Sequence, residues 1–396
     1  MKKILFIYPS MLLGGSTTSL LSLLNNLDPD RYQIDLQLRR NTGVLFHDIP
    51  KHVNILPQAE KYPGKKGYLI KYLKFIFGGY FFKSVYVSLK NKKFGISSTV
   101  FNEFLAKSVS KKNKTHYDYA IGFLEGWSNS YLAYNVCAEK KYAWLHSTFA
   151  NITSDPKAQI SWMKKVDRIV FVTDSCKNDF KKALPVMSDK AITVENITDS
   201  SIIRSRSACT DLKDVQYLRF SEADCFKIIT VCRITIDTKG LDRIVGCAKK
   251  LVETNIPFLW YIVGDGEDKE QLQKMINDEK LNDCLVLIGS RFNPYPFIKE
   301  ADIMCMPSRY EGKPMVITES MILGVPPVVT EYLSAHEQIQ DSIDGIVVPN
   351  HDEAIVDAVL DCMKNSDKLS KMKAYLKTHE YGNREYVSII EKNLFS

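Results

Sequence analysis

Short apolar runs recur along the chain, and most are followed by a segment whose apolar residues fall on one helical face. Ile4-Leu5-Phe6-Ile7-Tyr8 is the first run, Gly14-Gly15-Ser16 follows as a tight loop, and Leu20, Leu21, Leu23, Leu24 and Leu27 line one side of a helix over 17–27. Continuous apolar runs of this length mark strands covered on both faces, the condition of parallel sheets with helices packed above and below. Further strands are predicted over 33–38, 53–56 and 117–123, in the run ending at Leu145, and over 168–173 and 191–194. Residues 199–223 are polar and irregular. The pattern then restarts with strands over 226–232, 258–263, 285–289, 303–306 and 327–330, and with helices over 241–251, 315–323, 352–363, 366–379 and 381–394. Strand–helix alternation predicts an α/β architecture, and 396 residues are enough for two such domains. We divide the chain into a first domain over 1–198, a linker over 199–225, a second domain over 226–378 and a closing helix over 379–396.

Composition narrows the class. Apolar residues make up 45% and charged residues 25% of the chain, ordinary values for a globular protein. Nine scattered cysteines with no C-x-x-C pair predict reduced thiols in a cytosol, neither a disulfide frame nor a zinc site. The start, Met1-Lys2-Lys3 before the apolar run, imitates a signal peptide, but Tyr8-Pro9-Ser10 interrupts it early, and a first buried strand is the better reading. No apolar run approaches the ~18 residues of a spanning helix. A cytoplasmic protein is expected.

The stretch with the densest chemistry is IMCMPSRYEGKPMVITESMILGVPPVVT, residues 303–330. A strand leads into a loop carrying Glu311. Pro314 stands where a helix begins, Glu319 lies about a turn inside that helix, and Gly324 ends it. Loops at the carboxyl ends of parallel strands hold ligands, and a helix N-terminus there favours an anion. Two carboxylates beside an anion site suit hydroxyl groups next to a phosphate, as in a nucleotide sugar. Earlier in the same half, Arg233 and Lys239 sit six apart after a strand, placed to clamp a diphosphate as fork and point charge. Gly264-Asp265-Gly266 is half of a dinucleotide fingerprint, too little for NAD. Asp28-Pro29-Asp30 imitates a metal-binding D-x-D but falls where the first helix ends.

The spacing Glu311, seven residues, Glu319 resembles the paired-glutamate motif of retaining glycosyltransferases with the GT-B fold, family 4, of the bacterial polysaccharide type. The resemblance runs through V-x-R-I…K-G-L-D around Arg233 and Lys239, AWLHS around His146, and the Gly-Gly loop at Gly14 and Gly15; it is dense over 226–350 and sparser before 200. It implies two Rossmann-like domains facing across a cleft, the nucleotide on the second and the acceptor on the first, with the last helix crossing back. It implies roles for Glu311, His146, Arg233 and Lys239 in catalysis, and for Glu319, Gly264, Gly266, Arg291, Gly312, Met315 and Val316 in donor binding. Gly14 and Gly15 would face the acceptor, with a turn as the plainer reading of that pair. Family members often carry a second glycine where this chain has Pro314, so an anion here relies on the Met315 and Val316 amides. The implied reaction moves a sugar, UDP being the default nucleotide, onto an acceptor hydroxyl with retention and without a metal or cofactor. A catalytically silent subunit of the same fold, binding a partner enzyme or a glycan, is the alternative.

Charge adds a further expectation. Between Lys61 and Lys114 stand 13 lysines and one acid, Glu103, a local charge of +12 against −5 for the remainder. Residues 68–89 interleave these lysines with aromatic and aliphatic residues at helical spacing. The pattern fits a segment lying on an anionic membrane surface, which would suit a lipid-linked acceptor, and equally a partly buried helix pair with a solvated lysine face. Nucleic acid is disfavoured, because arginine is absent from the region and no nucleic-acid motif accompanies it.

Overall fold

The structure is a computed structural model, and it describes residues 1–62, 64–90, 97–153, 155–209 and 225–395. Part of the expected linker, 210–224, lies outside the described residues. The chain forms two compact units, Met1–Asn196 with Glu385–Ser396, and Ile197–Arg384.

The first unit is built on a parallel sheet of strands β1 (Lys2–Tyr8), β2 (Tyr32–Leu38), β3 (Asn54–Ile55), β4 (His116–Gly122), β5 (Cys137–Leu145), β6 (Arg168–Phe171) and β7 (Ala191–Thr193). Their spatial order is β3-β2-β1-β4-β5-β6-β7. The second unit holds β8 (Phe226–Val231), β9 (Phe258–Val263), β10 (Leu285–Gly289), β11 (Ile303–Met306), β12 (Pro327–Thr330) and β13 (Ile346–Val348), ordered β10-β9-β8-β11-β12-β13 and again parallel. Both are doubly wound sheets whose order reverses beside their first strand, so the crevices predicted to hold ligands lie between β1 and β4 and between β8 and β11.

Each strand register is fixed by burial on both faces. Ile4, Leu5, Phe6 and Ile7 are fully enclosed, as are Ile228, Ile229, Trp260 and Ile303 to Cys305. In the second sheet one polar relay crosses three neighbouring strands. The Trp260 indole N–H donates to the Thr230 hydroxyl at 3.0 Å, and that hydroxyl donates to the Cys305 carbonyl at 2.6 Å. A buried indole must have a partner, and here the partner also ties β9 and β11 to β8.

Several elements differ from the sequence reading. The 68–89 stretch is a helix pair, as one of its two readings had it, but it begins earlier, as Gly64–Phe77 and Tyr80–Lys90, and breaks at Gly78-Gly79, with Gly79 at φ 76. Helices at Trp127–Asn135, Pro156–Met163, Asp174–Ala183 and Lys269–Asp278 carry no motif and went unread. The expected linker begins with a helix, Ser200–Ser207, capped by the Asp199 carboxylate and packed within the second unit. The chain passes between units at 196–197 and again at 384–385. Beside these passages Thr198 and Asn383 exchange two hydrogen bonds, Thr198 N–H to the Asn383 amide oxygen at 2.8 Å and Asn383 N–H to the Thr198 carbonyl at 3.0 Å. The last helix, Tyr386–Leu394, belongs to the first unit, where the Tyr142 hydroxyl donates to the Leu394 carbonyl and Phe395 packs on Tyr32 and Tyr119.

Thr230→Val keeps the shape of this core but leaves the Trp260 indole and the Cys305 carbonyl without their shared partner. We expect a loss of about 1–3 kcal/mol in the second unit's stability, read in urea by tryptophan fluorescence. An unchanged midpoint would mean that the relay is not what joins the three strands.

Candidate functional site

The crevice between β8 and β11 is assembled by backbone approaching backbone. After β8 the chain makes a short turn to Lys239, and Gly240 (φ 65) then starts the helix Leu241–Val252. A Cβ on Gly240 would lie 2.1 Å from the Pro307 carbonyl oxygen, so only glycine lets this turn sit on the end of β11. Gly264 (φ 155) is under the same constraint on the other side, where a Cβ would fall 1.8 Å from the Cys232 carbonyl oxygen. Ile234 N–H donates to the Asp265 carbonyl at 3.0 Å across this contact. The Gly264-Asp265-Gly266 turn therefore braces the loop that carries Arg233, a packing role that the sequence alone did not indicate.

At the centre, Lys239 Nζ lies 2.6 Å from Glu311 Oε1. The Ser308 hydroxyl donates to the same oxygen at 2.8 Å, leaving Glu311 Oε2 without a hydrogen bond among the described residues. Both partners are largely withdrawn from solvent, at 21% and 10% exposure. Arg233 is exposed nearby in the chain and makes no ion pair among the described residues. The loop 307–312 is held from beneath by groups that carry no motif. The Arg309 guanidinium forms a two-pronged bond to Asp242 at 2.9 and 2.7 Å. Arg243, 8% exposed, binds Asn350 and reaches the Pro307 carbonyl. The Ser334 hydroxyl donates to the Gly312 carbonyl and the Thr330 hydroxyl to the Ser308 carbonyl. Glu311 is thus fixed by a polar layer drawn from four separate segments.

The helix Met315–Ile322 opens beside Gly312, with Pro314 in extended conformation before it. The N–H groups of Met315 and Val316 belong to its first turn, where no preceding carbonyls serve them. Glu319 faces inward and is buried; the Tyr295 hydroxyl donates to its Oε1 at 3.3 Å. Burial raises the Glu319 carboxyl to about 7 from its ordinary 4.5, against the lowering effects of Tyr295 and Arg206. Arg291 donates to its neighbour's carbonyl, Ser290 O, at 3.1 Å and lies over Phe297. The Asn293 amide binds the Arg206 and Cys209 carbonyls at 2.7 and 3.0 Å, which fastens this loop to the end of the helix Ser200–Ser207. Tyr295, Arg206 and Ser308 escaped sequence reading because their parts in the site exist only through partners distant in the chain.

In the first unit Gly14 precedes the helix Gly15–Asn26, and nothing lies within 4 Å of where its Cβ would be, so the Gly14-Gly15 turn stands open at the end of β1. His146 follows β5. Its Nε2–H donates to the Phe123 carbonyl at 2.9 Å, since a carbonyl can only accept, while Nδ1 is buried with no partner among the described residues. Burial lowers this imidazole to about 4, so it is neutral at physiological pH. The backbone N–H of His146 donates to Glu125 at 2.9 Å, and burial pushes the Glu125 carboxyl upward. Glu125, which the sequence reading passed over, lines a cavity of about 380 Å³ with Pro9, Arg39, Trp127, Ser147 and Gln159, at the carboxyl ends of β1, β2, β4 and β5.

Residues 221–379 match the family model of the glycosyl transferases group 1. This range contains Arg233, Lys239, Glu311 and Glu319 together. The amylovoran biosynthesis glycosyltransferase AmsK of Erwinia amylovora is 33% identical over 144 residues, 34% of this chain and 35% of its own length. The chain therefore spans about a third of that relative, and the similarity lies in a part of each protein. Among solved structures, Anabaena HepE in complex with UDP and glucose superposes with a TM-score of 0.68 at 15% identity, covering 99% of both chains. A mutant of Staphylococcus aureus TarM in complex with fondaparinux, alpha-GlcNAc-glycerol and UDP gives 0.68 at 14% identity over 100% of both. These likenesses show the GT-B fold, and residues 221–379 resemble the glycosyl transferases group 1.

The raised Glu319 carboxyl has a thermodynamic signature. The folded state keeps a proton that the unfolded chain releases, so this group's contribution to stability is complete below about pH 4.5 and is lost as pH rises through about 7. Glu319→Gln should flatten the stability profile between those values, measured by denaturant unfolding across pH. A profile identical to that of the unsubstituted protein would place the Glu319 carboxyl in water.

Proposed function

We propose that this protein transfers a sugar from a nucleotide sugar, UDP-linked, to the hydroxyl of a lipid-linked glycan in the synthesis of a capsule, exopolysaccharide or other cell-envelope polysaccharide. The observation that carries the reading is the Lys239–Glu311 ion pair at the β8–β11 reversal point, in the loop that follows Arg233 and near the open end of the helix Met315–Ile322. A cation and a carboxylate held together in the crevice suit the two ends of one substrate, a diphosphate and the hydroxyls of its sugar. The UDP complexes of HepE and TarM favour uridine as the base.

In this reading the bond from the anomeric carbon to the diphosphate oxygen breaks and a bond to the acceptor oxygen forms, with the anomeric configuration retained. Lys239 and Arg233 stabilise negative charge growing on the departing diphosphate, the largest electrostatic demand of the step. The Met315 and Val316 amides beside Gly312 add two donors to it. Glu311 accepts from the sugar hydroxyls through its open Oε2 while Ser308 keeps the carboxylate in place. Glu319 accepts from the ribose hydroxyls and Arg291 stands near the base, with Gly264 and Gly266 bracing the loop between. Positioning of this kind lowers the barrier by fixing the anomeric carbon. With two cations on the diphosphate, neither a metal nor a cofactor is called for. The acceptor is assigned to the first unit, to the Gly14-Gly15 turn and the Glu125 cavity. His146 is neutral, so its part is to bind sugar or acceptor, exchanging the Phe123 carbonyl for a ligand oxygen.

The test is nucleoside diphosphate release from a panel of nucleotide sugars in the presence of membrane lipid extract. One donor should be turned over, and Lys239→Ala and Glu311→Ala should each lower kcat by about 10²–10³, with Glu319→Ala acting more on KM. No release with any donor would favour a silent, glycan- or partner-binding subunit instead.

A second outcome follows from Glu319. Its ionised form accepts ribose hydroxyls best, so UDP affinity should fall as pH is lowered through about 7, and Glu319→Gln should lose that dependence relative to the unsubstituted protein. Titration calorimetry at several pH values reads both. Equal slopes in the two proteins would remove Glu319 from the nucleotide site.

A further inference from the structure

The hairpin of helices Gly64–Phe77 and Tyr80–Lys90 in the first unit exposes large apolar side chains beside its lysines. Lys71 and Lys83 are drawn to buried carboxylates, Lys71 inward and Lys83 along the surface. Lys71 and Arg40 pair with Glu60, which is 3% exposed, and Lys83 and Lys107 pair with Glu103 at 2.6 Å each. Lys74 donates to the Tyr62 hydroxyl at 2.8 Å and lies over its ring. Phe75 is the apolar anchor, packed edge-on against Phe101 and Phe104. The large apolar side chains are left outside. Ten of the 23 exposed large hydrophobic side chains among the described residues fall within residues 68–86. Tyr68, Leu69, Tyr72, Phe77, Phe82 and Tyr86 are each more than 60% exposed, and Phe77, at the Gly78-Gly79 bend, reaches 84%. An exposed apolar cluster of this size on a folded protein marks an interaction surface.

We infer that this hairpin is a bilayer-insertion element, which seats the first unit on a lipid surface by burying its apolar face in one leaflet. Three observations choose this occupant. The first is length: 14 and 11 residues give helices of roughly 21 and 17 Å. Neither crosses a hydrocarbon core of about 30 Å, and both fit lying in one leaflet's interface. The second is charge. A second copy of this chain would bring the +12 of residues 61–114 against itself, whereas a lipid surface, and an anionic one above all, opposes nothing to it. The third is the division of labour within the hairpin. With Lys71 and Lys83 of the hairpin engaged by Glu60 and Glu103, attachment rests on apolar burial more than on surface charge, so it resists salt. The inference stands apart from the proposed transfer reaction, since the hairpin would bind lipid whether or not the β8–β11 crevice turns over a donor.

The experiment is flotation of the full chain with vesicles of phosphatidylcholine, with and without phosphatidylglycerol, at low salt and at about 1 M salt, where the screening length is ~3 Å. We expect association with both vesicle types, tighter with phosphatidylglycerol, and persisting at high salt. Phe82→Ser with Tyr72→Ser should weaken it tenfold or more while leaving thermal unfolding and donor turnover with a soluble acceptor unchanged, because both side chains already face solvent. Three results would overturn the inference. One is no flotation in either lipid. Another is flotation abolished by salt and indifferent to the two substitutions, which would leave charge alone. The last is a concentration-dependent oligomer, seen by light scattering, that the substitutions dissolve in a protein that ignores vesicles.

Discussion

The second unit depends on how closely its loops approach one another at the reversal of strand order. Two glycines, Gly240 and Gly264, let backbone meet backbone at distances no side chain permits, against Pro307 and Cys232. This contact brings the turn bearing Lys239 onto the end of β11 and sets a cation and a carboxylate 2.6 Å apart in the crevice. Two charges drawn partly out of water are held only where the geometry is good and further hydrogen bonds serve them. Ser308 provides one such bond, and Arg309, Arg243, Thr330 and Ser334 immobilise the loop that presents Glu311. The site is thus a consequence of packing, its carboxylate held by a polar layer drawn from separate segments.

The two carboxylates of the motif occupy different environments. Glu311 sits beside a lysine and a hydroxyl, whereas Glu319 is buried beneath a tyrosine hydroxyl and is raised to about 7. Environment, and not residue type, therefore separates a paired carboxylate from one whose charge depends on pH near neutrality. The same holds in the first unit, where burial keeps His146 neutral and directs its one N–H into the protein. Such a histidine is neutral near pH 7, with its single N–H on Nε2 and its acceptor nitrogen, Nδ1, buried.

Residues 61–114 show how composition can mislead on direction. Thirteen lysines suggested a cationic face, yet Lys71, Lys83 and Lys107 are paired with two buried glutamates, and tyrosines, leucines and phenylalanines stand exposed beside them. Amphipathicity in sequence gives the spacing of two faces but not which of them meets the core. That is decided by Phe75, Glu60 and Glu103, whose partners come from other segments.

The sequence by itself determined the parallel sheets, because strands buried on both faces must be continuously apolar, and it located the paired glutamates, Arg233 and Lys239, because motif spacing is local. It placed the start of the helix Met315–Ile322 at Pro314 and its end at Gly324 for the same reason: capping is a matter of a few adjacent residues. It did not reveal the helix Ser200–Ser207 inside the presumed linker, which is polar outwardly and is stabilised by packing in the second unit and by the Asp199 cap. Nor did it reveal Tyr295 beneath Glu319, Glu125 behind His146, or Ser308 on Glu311. These contacts, like the exposed side of the 64–90 hairpin, join residues of ordinary type whose significance lies in what the fold brings beside them. Tertiary structure alone decided them, since burial and hydrogen-bond partnership are properties of neighbours in space.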